Sequence, residues 1–484
     1  MNFLIFPTQL YLDIDILKNF NNIYLIEEPK YFTYFKFHKL KLAYHRATMK
    51  KYYKYLKSKK LKIKYINFYD VTNDFYINLK SGTFYDPIDK HLEKKLKKHL
   101  TCNIIDQCQF LISKKEIHEN KTNFENNGKY YNDKFYKYMR IKLNILIDKN
   151  KKPIGNKWSF DNENRIPLPK KITIPKLPKI LNNDFINEAK YYVNEHFKDN
   201  YGSLDYFIYP IDHKSSLKWL KVFLKERLNK FGPYEDAVST EHNFIFHSVL
   251  TPMMNIGLLL DKDVINESIK FYENNNISIA SFEGFVRQII GWRQYVYTLY
   301  ELESDNLYSS NILNHTNKIS DKWWESVDIT PIDFLIDKIK KYAYVHHIER
   351  LMYLSNWMLL NEIDPKEVYR IFMEWTIDAY EWVMIPNIFG MGQYANPLMM
   401  SRLYFSSSNY ILKMSNFKND DTNWIEIWNA VYYNFINTHK QLLSKNYATA
   451  MQVKHWTNKT STEQKQLINI AKIYQDTLIY NYKN

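Results

Sequence analysis

The sequence predicts an N-terminal α/β domain with a parallel sheet, followed by a large all-α domain. In the first 70 residues, short apolar runs at 2–6, 22–29 and 62–70 alternate with two helix-length stretches, which is the pattern of parallel strands joined by crossover helices. From about residue 183 onward, apolar residues recur at helical spacing. A chain of 484 residues is also too long for one core, so we expect two domains and a linker.

We expect the chain to consist of two domains and a connector between them. We expect the α/β domain to span 1–130, an interdomain connector to span 131–182, and the helical domain to span 183–484. Residues 170–180, KKITIPKLPKI, are rich in Pro and Lys and lack periodicity, which is typical of a linker. The α/β domain is Rossmann-like in layout, but it has no Gly-rich dinucleotide fingerprint.

Charge and composition narrow the class of protein. Hydrophobic residues make up 45% of the chain and aromatic residues 17%, so the chain is expected to be globular. A net charge of +15 favours association with phosphate backbones. An AT-rich coding sequence, indicated by abundant Lys, Asn, Ile and Tyr, is an alternative source of part of that charge.

Other sequence features exclude several classes. Cys102 and Cys108 cannot build a disulfide scaffold and do not have the spacing of a zinc site. No apolar stretch reaches the roughly 18 residues of a membrane span, and the N-terminal run lacks the basic region of a signal peptide. We therefore expect a soluble intracellular protein, acting as a monomer and without a membrane partner.

The stretch 343–391 is the centre of the functional argument, and it is predicted to form two helices joined by the turn NEIDPKE. His346 and Arg350 are four residues apart and share a helical face, while His347 lies about 100° round the axis. Asp378 is the obvious carboxylate to pair with Arg350, in a bidentate geometry. Such a cluster of polar groups predicts an anion or a polar ligand.

Three motifs carry a resemblance to a known family: AYVHHIERLM from Ala343, DAYEWVMIPNIFGM from Asp378 and EGFVRQIIGWRQY from Glu283. They resemble the bacterial (6-4) photolyase branch of the photolyase/cryptochrome superfamily, whose members normally contain an iron–sulfur cluster. The resemblance covers most of the chain, from FHKLKLAYHRATMK to SSSNYILKMSN. It implies a flavoprotein lyase that binds UV-damaged DNA and uses light for repair, in the cytoplasm of a prokaryote or in a viral or nuclear compartment.

The resemblance also implies a site for FAD. The expected pyrophosphate entry consists of Tyr234, His247, Ser248, Leu250 and Thr251, because amides at a helix start suit anions. From residue chemistry alone, Thr251 would instead cap a helix that begins at Pro252. The remaining flavin-contacting positions implied by the family pattern are Gln288, Arg293, Arg350, Asp378, Tyr380, Met384 and Asn387.

Residues for lesion chemistry follow from the same resemblance. His347 is assigned as the proton donor, since imidazole suits that role near neutral pH, with His346 as its neighbour. Tyr404 is expected to line the lesion pocket. At the carboxyl ends of the strands, Gln9, Glu28 and Tyr34 would form the crevice for a lumazine- or flavin-like antenna chromophore, although ordinary loop residues on an empty domain are an equal alternative.

The chain departs from the family at several positions. The four cluster cysteines are replaced by Pro331, Lys418, Asp421 and Glu426, none of which supplies a thiolate, so we expect no iron–sulfur cluster. Met384 stands where the family has an acidic residue. Ile371 and Phe372 replace an aromatic pair on the route of electrons to the flavin, where Trp323 or Trp324 could offer one step.

Three functional hypotheses remain open from the sequence. The first is a cluster-less (6-4) photolyase that uses reduced FAD; a cyclobutane-dimer photolyase is a variant of it. The second is a cryptochrome-like flavin photoreceptor without repair activity, which Met384 favours. The third is a flavin-free DNA-binding scaffold.

Overall fold

A computed structural model describes residues 1–400 and 403–480. Its N-terminal domain contains a five-stranded parallel sheet: β1 (Asn2–Ile5), β2 (Asn22–Ile26), β3 (Ile63–Ile66), β4 (Ser81–Tyr85) and β5 (Thr101–Ile105). The strands lie in the order β3-β2-β1-β4-β5, with Phe3 opposite both Ile23 and Thr83. The predicted α/β class is confirmed, and each of the three expected strands begins within one residue of its predicted start.

Helices connect these strands and lead into the second domain. They are α1 (Lys39–Ser58), α2 (Asn73–Leu79), α3 (Lys90–His99), α4 (Lys114–Asn120) and α5 (Asn132–Leu143). A two-residue ladder pairs β6 (Glu125–Asn126) with β7 (Lys129–Tyr130). Helix α1 ends where Lys60 adopts a left-handed backbone conformation with φ 61°, which turns the chain into β3.

The C-terminal part is helical, as expected. Its helices are α6 (Asp184–His196), α7 (His213–Glu226), α8 (Leu228–Phe231), α9 (Thr251–Met254), α10 (Asp261–Glu273), α11 (Ile279–Val286), α12 (Gln294–Ser309), α13 (Lys322–Glu325), α14 (Thr330–Tyr342), α15 (Asn356–Leu360), α16 (Pro365–Trp375), α17 (Glu381–Ile385), α18 (Ser408–Met414), α19 (Trp424–Thr438), α20 (Lys440–Ser444), α21 (Tyr447–Thr457) and α22 (Ser461–Leu478). A short ladder pairs β8 (Lys318–Ile319) with β9 (Ile479–Tyr480). None of the described helices combines the length and apolar composition needed to cross a membrane.

The prediction of two helices in 343–391 is wrong in its second half. After α16, the chain leaves the helical conformation at Thr376 and resumes it at α17. The Thr376 hydroxyl donates to the Phe372 carbonyl, and the Ile377 N–H donates to the Ala343 carbonyl, so the start of the break is held in place. Asp378 therefore lies in a turn between α16 and α17 rather than on a helix.

Three stretches of π-helix interrupt the α-helical pattern: Arg287–Arg293, Glu349–Ser355 and Pro386–Gly392. Each is continuous with an α-helix on at least one side. A π-helix is wider than an α-helix, and it occurs most often where a functional site requires displaced side chains. All three stretches meet at the same cavity.

Candidate functional site

A cavity of about 820 Å³ lies in the helical domain. This volume falls within the usual range of ligand-binding pockets. The three π-helical stretches supply much of its wall, and the loop from Glu235 to Thr251 and helix α21 supply further parts. Predicted site residues that line it are His247, Ser248, Leu250, Thr251, Gln288, Arg293, His346, His347, Arg350, Asp378, Met384, Asn387 and Tyr404.

The expected pair between Arg350 and Asp378 forms in the cavity wall. Arg350 Nη2 donates to Asp378 Oδ1 at 2.8 Å, and its Nε donates to the Val345 carbonyl at 2.7 Å. The contact is thus single rather than bidentate, because Nε is engaged elsewhere. The Thr251 hydroxyl donates to the other Asp378 oxygen, so Asp378 ties α9 to the helix that carries Arg350.

Thr251 does not cap its helix. Leu250 occupies the capping position, and no side chain accepts a hydrogen bond from the first amides of α9. The hydroxyl of Thr251 is instead committed to Asp378. The capping interpretation of Thr251 is therefore wrong.

The two adjacent histidines occupy different environments. His346 is buried, and its ring stacks on that of His247 with 3.9 Å between centroids. Burial, with the nearby His247 and Lys338, holds the pKa of His346 well below its usual value. Its Nδ1 and Nε2 have no hydrogen-bond partner within residues 1–400 and 403–480; the nearest Glu349 oxygen lies 3.5 Å from Nε2.

His347, in contrast, exposes its ring within the cavity. The ring centroid lies 6.2 Å from that of Trp292, which also lines the cavity. Loss of solvation, with the neighbouring Arg350, lowers the pKa of His347 to about 4.

A buried ion pair fixes the backbone beneath the histidines. Lys338 Nζ lies 2.8 Å from both carboxylate oxygens of Glu349. Glu349 also accepts the backbone N–H of His346 at 2.8 Å, which sets the start of the helix that carries His347. The sequence did not lead us to predict this pair. The position of Glu349, only two residues after the paired histidines, could have pointed to it.

Two predicted flavin-contacting residues lie away from the cavity. The Tyr234 ring packs against Phe246, with 5.5 Å between centroids, in a small cluster with the linker. The Tyr380 hydroxyl lies 3.2 Å from His45 Nε2, at the interface with α1. The break before α17 turns Tyr380 toward the sheet domain, so neither Tyr234 nor Tyr380 lines the cavity, contrary to expectation.

Charged residues that sequence analysis did not assign also line the cavity: Arg165, Glu235, Asp236 and Arg287. Burial raises the pKa of Glu235 to about 7 and that of Asp236 to about 6. Arg165 Nε lies 3.4 Å from a Glu235 oxygen and 3.6 Å from Asp236. The two acids follow FGPY directly in the motif FGPYEDA, which could have pointed to them.

The predicted antenna residues do not form an open crevice together. Gln9 is buried, and its amide donates to the Tyr85 carbonyl at 2.7 Å. Glu28 is buried between Tyr76 and Lys95, with 2.7 Å to the Lys95 ammonium. Tyr34 is 62% exposed beside Lys30. Gln9 and Glu28 therefore direct their polar groups to protein partners.

The segments that carry the four substituted cysteine positions do come together. Thr330, which precedes Pro331, donates its hydroxyl to Asp420 at 2.5 Å. Trp424 Nε1 donates to the Lys418 carbonyl at 2.9 Å. The bond between Thr330 and Asp420 thus joins the loop 418–426 to the start of α14, and the bond between Trp424 and Lys418 closes the loop on itself.

Comparison with known proteins finds relatives of the kind that the motifs indicate. A family model described as deoxyribodipyrimidine photo-lyase-related protein matches residues 3–209. A (6-4) photolyase from Agrobacterium fabrum is 32% identical over 332 residues, which cover 66% of this chain and 65% of that protein. Both matches support the resemblance to the photolyase/cryptochrome superfamily that was inferred from the motifs.

Solved structures of the superfamily share the fold over the full length. A bacterial class III photolyase from Agrobacterium tumefaciens has a TM-score of 0.54 at 14% identity, covering 98% of both chains. An archaeal photolyase from Sulfolobus tokodaii, solved with two FAD molecules, has a TM-score of 0.55 at 12% identity, covering 99% of this chain and 100% of that one. At these identities, the photolyase/cryptochrome likeness establishes architecture alone.

Proposed function

We propose that this protein is a light-dependent DNA photolyase that uses reduced FAD to repair the (6-4) pyrimidine photoproduct, acting as a monomer on UV-damaged DNA. The observation that carries the proposal is the ring of His347, exposed within the cavity beside the Arg350–Asp378 pair. The 32% identity to a (6-4) photolyase supports it.

The cavity fits FAD in size and in chemistry. Several buried polar atoms of its wall have no partner in the part of the chain that the structure describes: Nδ1 and Nε2 of His346, Nη2 of Arg293 and Oδ1 of Asn387. Buried polar groups are normally hydrogen-bonded, so such a set indicates a ligand with several donors and acceptors. Ser248, Thr251, Arg293, Asp378 and Asn387 would hold FAD, together with the other lining residues named above.

When bound, reduced FAD excited by light would supply one electron to the photoproduct and recover it once the bases have separated. The protein itself binds the lesion after it has flipped out of the duplex, and it transfers a proton to and from the lesion. A ring nitrogen of His347 gives a proton to the lesion, and the same nitrogen takes the proton back after the bases separate. The adjacent Arg350 makes the protonated imidazole more acidic, which favours this donation.

The pKa of His347 sets an expected pH dependence. A group with a pKa of about 4 is mostly neutral at pH 7. Lowering the pH therefore increases the protonated fraction, and phosphates of bound DNA raise it further. We expect the repair rate to rise as the pH falls from about 8 toward 5, an acid limb that a variant without His347 lacks.

We also propose that no iron–sulfur cluster is present. The residues at the four positions offer no thiolate. The hydrogen bond from Thr330 to Asp420 joins the two segments that carry these positions. An antenna chromophore remains a prediction; the engaged polar groups of Gln9 and Glu28 argue against a site formed by them.

A photoreceptor without repair activity is the second candidate. Met384 and Phe372 both line the cavity, and neither can exchange a proton with a ligand. A flavin site tuned for signalling rather than repair would need no proton donor at residue 347. The repair activity of His347 variants therefore distinguishes the two candidates.

The decisive experiment compares photorepair by the parent, His347→Ala and His242→Ala at matched flavin content. His242 is an exposed histidine outside the cavity lining and serves as the control. Loss of a positioned general acid lowers the rate by about 10²–10⁴, so we expect H347A to lose (6-4) repair while H242A retains it. Equal repair by H347A, or parent activity on cyclobutane dimers alone, would contradict the proposal.

A further inference from the structure

The excess of positive charge lies mainly in the sheet domain, away from the cavity. Residues 1–130 contain 24 Lys and Arg against 13 Asp and Glu, which gives +11 of the chain's net +15. The remaining 354 residues, which include the cavity, therefore carry only +4. Phosphate binding at the cavity mouth alone does not explain this distribution.

Chain topology gathers this charge at one edge of the sheet. In a parallel sheet, every turn from a helix into the next strand lies at the amino ends of the strands. The three turns α1–β3, α2–β4 and α3–β5 all carry lysines. We define the basic edge as Lys57, Lys59, Lys60, Lys62, Lys80, Lys97 and Lys98.

The lysines of the basic edge are exposed, and few are neutralised. Lys97 pairs with Glu93 at 2.5 Å, whereas Lys62, Lys80 and Lys98 have no ion-pair partner among the described residues. Lysines in the last turn of a helix interact favourably with the negative end of the helix dipole, which accounts for the positions of Lys57 and Lys98. Lys62 lies beyond α1, at the start of β3, where no helix end requires it.

The opposite edge of the same sheet shows the reverse arrangement. Four acidic residues follow the carboxyl ends of β2 and β4, and each has a basic partner: Glu27 with Arg46, Glu28 with Lys95, Asp86 with Lys114 and Asp89 with Lys30. Charges at the carboxyl ends are thus paired within the protein, whereas the basic edge leaves its cations available. This contrast within one sheet indicates a polyanionic partner for the basic edge.

We propose that the basic edge binds the phosphate backbone of undamaged duplex DNA, separately from the cavity. Five strands spaced about 4.8 Å apart give an edge about 19 Å long. Over that length a duplex carries roughly eleven phosphates, enough to engage all three turns. The chemistry is sequence-independent, because lysine ammonium groups contact phosphate rather than base edges.

The basic edge lies far from the lesion cavity. Lys41, near the start of α1, contacts the Ala379 carbonyl at 2.6 Å, next to the cavity residue Asp378. The basic edge begins at Lys57, in the last turn of this helix and about 24 Å along its axis from Lys41. A duplex held there leaves the cavity mouth free, so the basic edge keeps the protein on DNA between lesions. This binding requires neither flavin nor repair.

The test measures binding of undamaged duplex DNA to full-length protein as a function of salt. The variant Lys62→Gln, Lys80→Gln, Lys98→Gln removes one unpaired lysine from each turn. The control Lys440→Gln, Lys465→Gln, Lys472→Gln removes three exposed lysines from the C-terminal helices, with the same change in net charge. Thermal unfolding verifies that both variants fold like the parent.

We expect the edge variant to reduce the slope of log K against log salt by about two to three, and to weaken binding at low salt roughly tenfold. The control should change both values little. Equal behaviour of the two variants, or an edge variant weakened only toward anionic lipid vesicles and not toward duplex DNA, would overturn the proposal. Because no lesion is used, failure here is distinguishable from failure of photorepair.

Discussion

The flavin cavity and the carboxyl edge of the sheet were both predicted to bind a chromophore, and they differ in how their polar groups are satisfied. In the cavity wall, the ring nitrogens of His346 and the Asn387 oxygen have no partner among the described residues. At the sheet edge, Gln9 and Glu28 are bonded to Tyr85 and Lys95. Polar atoms left without partners are a better sign of a ligand site than position in the fold.

The largest effect on stability is expected at Asp378. Asp378→Ala leaves Arg350 without its carboxylate in a largely buried site, and loss of one partner of a buried pair typically costs about 3–5 kcal/mol. The variant should also retain far less flavin. Denaturant unfolding and flavin content are the measurements.

Asp378→Asn is the matched control, since it keeps an acceptor near Arg350 and Thr251. A smaller loss than that of D378A is expected. If D378A unfolds like the parent and keeps its flavin, the Arg350–Asp378 pair does not organise the cavity.

A pH-dependent effect is expected at Glu235, in the cavity wall. Burial raises the pKa of Glu235 from 4.5 to about 7 in the folded protein, so its protonated form is favoured by folding. This stabilisation is complete below about pH 4.5 and is lost as the pH rises through 7, by up to about 3 kcal/mol. Thermal unfolding of flavin-free protein between pH 5 and 8 should therefore show a falling midpoint.

Glu235→Gln should flatten that fall, with Asp236 accounting for what remains, since its pKa is also raised, to about 6. If the stability of the parent protein is constant or rises between pH 5 and 8, then ionisation of Glu235 does not destabilise the folded state.

At the carboxyl edge of the sheet, where Glu28 lies, we expect a substitution to affect stability only. Glu28→Ala removes the partner of the Tyr76 hydroxyl and the Lys95 ammonium, which should lower stability by about 1–3 kcal/mol. Flavin content and repair rate should stay at parental values. Loss of a visible absorbance band in E28A would instead reveal a chromophore at this edge.

The smallest effect is expected at the loop 418–426. Thr330→Val deletes the exposed hydrogen bond to Asp420 and should cost about 1 kcal/mol or less. A collapse of folding in this variant would mean that the contact replaces a structural metal on its own.

Sequence reasoning reached the fold because strand–helix alternation is visible in the apolar pattern. It did not identify β4 and β5, whose sequences SGTFY and TCNII are short and carry little apolar periodicity. The π-helical stretches were equally out of reach, because an inserted residue in a helix leaves no mark on composition. These stretches shape the cavity wall, so its outline required the structure.

The structure brings together the predicted residues whose chemistry a motif fixed, and it separates those for which orientation mattered. Arg350 and Asp378 were paired correctly from charge and resemblance. Tyr380, only two residues from Asp378, points to His45 because the chain turns at 377–378 and is extended at Tyr380. The ion pair of Glu349 and the position of Glu235 in the cavity wall were not predicted. Neither role can be recognised without knowing which residues lie beside these carboxylates in the fold.

The central claim is that the cavity holds FAD and that the protein contains no iron–sulfur cluster. Flavin and iron analysis of the purified protein tests this claim most directly. We expect a flavin absorption spectrum, release of about one equivalent of FAD on denaturation, and no stoichiometric iron. Protein that binds no flavin even after incubation with FAD, or that contains stoichiometric iron, would contradict it.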